Sequence, residues 1–102
     1  MSTIPTEKLD RLVDRWETIQ RELNEAPGQS AYARLTKEFS SLDPIVKTYR
    51  ALIAAQAEVA DLEAIRDDSS SDKEMVALAE EDLERLRDEA EDLVQRLRIE
   101  LL

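Results

Sequence analysis

Cysteine and histidine are both absent from this sequence. Without thiols there are no disulfides and no thiolate metal sites, which is compatible with the cytosol without demanding it. Without imidazole, the chain lacks the side chain that titrates most readily near neutrality. Catalysis needs such a group, a good nucleophile, or a metal that supplies the same properties. The inward Glu-x-x-His arrangement of di-iron bundles is likewise impossible. Glycine occurs once and proline three times. A chain of short strands and tight turns is therefore excluded, and so is a glycine-rich loop that cradles phosphate. No apolar run approaches the ~20 residues needed to cross a bilayer. Met1-Ser2-Thr3-Ile4-Pro5 lacks the basic and apolar regions of a signal peptide.

What is present is the vocabulary of long helices, chiefly Ala, Leu, Glu, Asp and Arg. Hydrophobic residues make up 42% of 102 residues, enough for one modest core and against wholesale disorder. The fold class expected is all-α. Net charge is −10, from 24 acidic and 14 basic side chains. A surface this negative repels phosphate backbones and anionic lipid, so neither nucleic acid nor membrane is expected as a direct partner. A protein with a basic or apolar patch fits better. The default expectation is a soluble cytoplasmic protein.

The strongest pattern lies in the last third, residues 72–102. Val76, Ala79, Leu83, Leu86, Ala90, Leu93 and Leu97 recur at gaps of three and four, which places them on one stripe of a helix. Ser71 or Asp72 is the expected cap, with Glu74 in the first turn. No Gly, Asn or Pro follows Leu101 and Leu102, so the pattern reads as cut from something longer.

A first helix over about 4–26 is expected to bury Leu9, Leu12, Val13, Trp16, Ile19 and Leu23, with Thr3 as N-cap. Glu7 with Arg11 and Glu17 with Arg21 stand four apart on its wet side. A second helix over 30–42, capped by Ser30, carries Tyr32, Leu35, Phe39 and Leu42. Pro44 lacks an N–H and disfavours helical geometry at Asp43. The sequence therefore predicts a break, with Asp43 capping a third helix over 44–66; one continuous kinked helix is the alternative. That third segment carries Ile45, Val46, Tyr49, Leu52, Ile53, Gln56, Val59, Ala60, Leu62 and Ile65. Residues 1–102 are thus expected to form a single four-helix domain, built on a long antiparallel hairpin. Trp16, Tyr32, Phe39 and Tyr49 should sit where helices meet.

No catalytic, cofactor-binding or metal-binding residue emerges. Glu80-Glu81-Asp82-Glu84 has the composition of a divalent-cation site, but neighbours on a helix point apart, and a solvated charged face is the better reading. Ser69-Ser70-Ser71 reads as a plain polar loop rather than a phosphorylation site. Composition and spacing lead to an acidic helical module for binding or spacing, and no further.

The order of short motifs adds more. Lys8-Leu9-Asp10 and Trp16-Glu17 precede Tyr32-Ala33-Arg34-Leu35-Thr36-Lys37-Glu38-Phe39-Ser40-Ser41-Leu42. Asp43-Pro44-Ile45-Val46 and Lys47-Thr48-Tyr49 follow directly. An acidic turn then leads into Ser71-Asp72-Lys73-Glu74-Met75, Leu78-Ala79-Glu80, Glu81-Asp82-Leu83 and the closing Leu97 to Leu102. This series resembles the N-terminal helical domain of bacterial peptide chain release factor 1, of the class I release factor family. Lys73 stands where the family commonly has Pro. The family's Gly-Gly-Gln hydrolysis loop and its stop-codon tripeptide are missing from these 102 residues, so no residue here inherits either role.

The resemblance implies a fragment of a factor that terminates translation at UAA and UAG. It also implies a ribosome contact in the stalk-base region of the large subunit. The acidic surface suits ribosomal protein there better than RNA. A free-standing helical scaffold or coiled-coil adaptor is the other reading, and a weak homodimer of the isolated chain is compatible with the heptad-like spacing.

Overall fold

The computed structural model describes residues 4–102 as three helices, with no strand among the described residues. Helix α1 spans Thr6–Asn24, α2 Gln29–Asp67 and α3 Lys73–Glu100. The expected Thr3 cap lies outside the described residues. At about 1.5 Å per residue, the 39 residues of α2 form a rod of about 58 Å. That nearly spans the 61 Å long axis of the molecule. The spine is therefore α2, not the more regularly patterned last third.

The two neighbours of α2 are staggered along it. Helix α1 turns back through Glu25–Gly28 and lies against its first half. Ala26 makes that reversal with a left-handed backbone (φ 51°), ahead of Pro27. Helix α3 returns antiparallel along the second half, so that Arg87 meets Glu63 at 2.8 Å and Val94 lies beside Leu52. All three helices meet at one cluster: Leu9 of α1, Tyr49 and Leu52 of α2, and Val94 and Leu97 of α3, each 0–7% exposed. Ile4, Leu12, Val13, Ile45, Ala90, Leu93 and Leu101 pack around it. Leu83, Leu86 and Ala79 extend the core along the hairpin, and Ile19, Trp16, Leu35 and Val46 extend it toward α1.

Three helices stand where four were expected, because α2 runs unbroken through Pro44. The proline removes the N–H that would bond the Ser40 carbonyl and crowds the turn before it, a cost of about 3 kcal/mol. Helix α1 offsets it by gripping α2 on both sides. Arg15 and Trp16 hold Glu38, Phe39 and Asp43 before the proline, while Asp10 and Glu17 hold Tyr49 and Arg50 after it. A splint across the defect keeps the helix in register. Asp43 is consequently no N-cap; its carboxylate takes tertiary partners instead.

Other local expectations shift with it. Gly28, extended at φ −61° and ψ 163°, precedes α2 in place of Ser30. Glu17 reaches Arg50 at 3.2 Å across the helix pair, while Arg21 bonds Thr18. Tyr32 is exposed rather than central, and Ile53, Gln56, Ala60 and Ile65 also face solvent. Each of these lies where α2 has a neighbour on one side alone. Asp72 does cap α3: its carboxylate accepts from the Met75 N–H at 2.8 Å.

Candidate docking surface

Two assemblies on the surface combine order with unusual chemistry. One is the lock between α1 and α2. Arg15 and Trp16 lie on the side of α1 that meets Glu38, Phe39 and Asp43, the last two one turn apart on α2. The Arg15 guanidinium clamps Glu38 through two bonds of 2.6 and 2.8 Å. The Trp16 ring stacks on Phe39 at 6.0 Å, with Arg50 4.7 Å from its centroid. Its Nε1–H donates to Asp43 at 3.0 Å. Lys47 approaches the other Asp43 oxygen at 2.9 Å. Hydrogen bonding to Lys47, and then to Trp16, holds the Asp43 carboxyl below its ordinary 3.8, against the opposing effect of burial. Arg15 does the same for Glu38. Burial pushes the Tyr49 phenol up, and its bond to Asp10 (2.9 Å) adds to the rise.

Because the native pKa of Asp43 lies below its unfolded value, the carboxylate stabilises the fold fully above the unfolded value. That contribution fades as pH falls through the depressed native value. Asp43→Asn should therefore lower stability by about 1 kcal/mol at pH 7, since it loses a charged partner but keeps an acceptor for the indole. The gap from wild type, followed by urea denaturation, should persist down to about pH 5 and shrink below pH 3.8. A gap unchanged at pH 2.5 would mean that the charge of Asp43 has no role.

The second assembly is the tip of the α2–α3 hairpin. The turn is braced from within. Asp68 accepts from the Ser70 N–H and hydroxyl at 2.9 and 2.8 Å, and these bonds lower its pKa. Ser71 donates to the Ile65 carbonyl at 2.7 Å, and Asp72 caps Met75. Ser70 and Ser71 are thus structural donors. Beside this braced turn Ile65, Met75 and Leu78 stand 38%, 46% and 57% exposed. Met75 and Leu78 fall off the apolar stripe of α3, and their spacing of three was the one sign in the sequence that they share a second face.

The acidic run behaves as a solvated face: Glu80, Glu81, Asp82 and Glu84 are all exposed, and Asp82 turns to Arg85 at 3.6 Å. Among the described residues no three carboxylates converge as metal ligands would. No described helix is long and apolar enough to cross a membrane. The grooves along the hairpin are open troughs, one of them about 410 Å³ between Arg66 and Glu84. What the surface offers is a rigid rod with ordered ends, acidic sides and an apolar tip, suited to contact with another macromolecule.

Comparison with known proteins gives the family. No solved structure matches the chain. Along its whole length it is 34% identical, over 102 residues, to Peptide chain release factor 1 of Bartonella tribocorum (strain CIP 105476 / IBS 506). It covers 28% of that relative, less than a third of its length. Residues 12–102, which include all of α2, all of α3 and most of α1, match the model of the PCRF domain. The chain belongs to the PCRF domain family.

Proposed function

We propose that residues 1–102 form the N-terminal ribosome-docking domain of a longer peptide chain release factor that terminates translation at UAA and UAG codons. The observation that carries this reading is the match of this whole chain to 28% of the length of a release factor 1. Codon reading and peptidyl-tRNA hydrolysis then belong to downstream domains, and these residues act as a binding module with no catalytic, cofactor or metal site. The factor works in the cytoplasm, where ribosomes are. The domain reaches the stalk-base region of the large subunit and meets ribosomal protein there. A net charge of −10 opposes direct contact with RNA phosphates or with membrane. In isolation the same charge limits the chain to weak homodimers.

Two measurements test the reading. The chain should co-sediment with purified large ribosomal subunits, with excess unlabelled release factor 1 displacing it. Its native coding sequence should continue into a segment bearing Gly-Gly-Gln. A chain that stays in the supernatant at every subunit concentration would refute docking, and a gene without that segment would refute the release-factor assignment.

A further inference from the structure

The apolar residues of the hairpin tip form one patch. At roughly 100° per residue, Met75 and Leu78 lie on the flank of α3 turned away from Arg87. The Arg87–Glu63 bridge shows which flanks of the two helices adjoin on that side. Ile65 lies on the opposite flank of α2 from Glu63, so it shares a side of the hairpin with Met75 and Leu78. Helix α1 packs along the other half of α2 and leaves this patch uncovered. The backbone that carries them is braced by a hydrogen-bonded turn, so little backbone ordering entropy remains to be lost on binding.

The charges around the patch select its occupant. Glu58, Asp61 and Asp82 stand exposed on the same flank. The base among them, Arg85, is already engaged by Asp82 and by Glu89 at 3.2 Å. A nucleic-acid backbone would meet the exposed carboxylates of Glu58 and Asp61, and a second copy of this chain would bring the same acids against them. We propose that Ile65, Met75 and Leu78 dock an apolar ridge of a partner protein whose border carries Lys and Arg. This rests on the ribosome-docking reading and assigns that contact to the hairpin tip.

The test uses the whole chain and purified large ribosomal subunits in a sedimentation titration. The proteins are wild type, the double variant Met75→Ser with Leu78→Ser, and Ile53→Ser, which removes a comparably exposed apolar group from another part of α2. Circular dichroism checks that all three fold. The double variant should bind at least about tenfold more weakly while Ile53→Ser binds like wild type. Benzoylphenylalanine introduced at Leu78 should crosslink to a ribosomal protein at a site bordered by Lys or Arg. Full-strength binding by the double variant overturns the tip assignment and leaves the docking reading intact. A crosslink to ribosomal RNA overturns the choice of a protein partner. Failure of wild type itself to bind removes both.

Discussion

Replacing Trp16 by Ala is expected to destabilise the chain by about 3–5 kcal/mol, a large part of the 5–15 kcal/mol typical of a domain. The indole is 9% exposed and has three kinds of partner at once: the Phe39 ring, the Arg50 guanidinium and the Asp43 carboxylate. Truncation leaves a cavity where Phe39 stacked and takes a donor from Asp43. It also weakens the splint across Pro44, and this makes the effect specific. Residues 29–43 have α1 as their packing partner, so loss of the lock should melt that half of α2 first. Hydrogen exchange should therefore rise most strongly over 29–43 and α1, with the hairpin less affected. Trp16→Phe keeps an aromatic ring against Phe39 but loses the N–H and part of the indole volume, so its penalty should be smaller, about 1–3 kcal/mol. Urea denaturation followed by circular dichroism measures both. Wild-type stability in Trp16→Ala would show that Trp16 contributes nothing to the lock between α1 and α2.

What could be read from the chain alone depended on how many neighbours each helix has. Helix α3 packs on one partner along its length, so a single stripe repeats, and Ala79, Leu83, Leu86 and Leu97 are buried as the spacing predicts. Val94, just off the stripe, turns inward because α1 arrives there as well. Helix α2 is different. Leu35 and Val46 face α1, while Leu52 and Ala55 face α3, and these faces are more than a quarter turn apart around the axis. A stripe that changes phase beside a proline has the same signature as two separate helices, so the sequence pointed to a break that the tertiary contacts remove. The same change of face explains Tyr32, Ile53 and Ile65, which fit an apolar pattern but have no helix opposite them. The tip patch was hidden for a related reason: exposure depends on which flank the neighbour leaves open, and periodicity carries no such information. The order of motifs, by contrast, points to the release factors, in agreement with the match along the whole chain, because spacing along the chain survives when individual packing predictions fail.

Leu97→Ala should cost about 2–5 kcal/mol, and its pattern of damage should differ from that of Trp16→Ala. Leu97 is 0% exposed and belongs to the cluster in which all three helices meet. Helices α1 and α3 have no close backbone approach among the described residues, so side chains of this cluster carry their mutual contact. A cavity at Leu97 therefore weakens both hairpins at their shared point, whereas a cavity at Leu83, equally buried at 1%, lies within α2–α3 alone. For similar losses of total stability, Leu97→Ala should raise hydrogen exchange in α1 as well as in α3. Leu83→Ala should confine the increase to α3 and the second half of α2. The double variant Trp16→Ala with Leu97→Ala should depart from additivity, because each substitution loosens the same α1 against a different part of the remaining structure. Strict additivity, together with exchange in α1 unchanged by Leu97→Ala, would mean that the two hairpins fold independently and that the central cluster does not couple them.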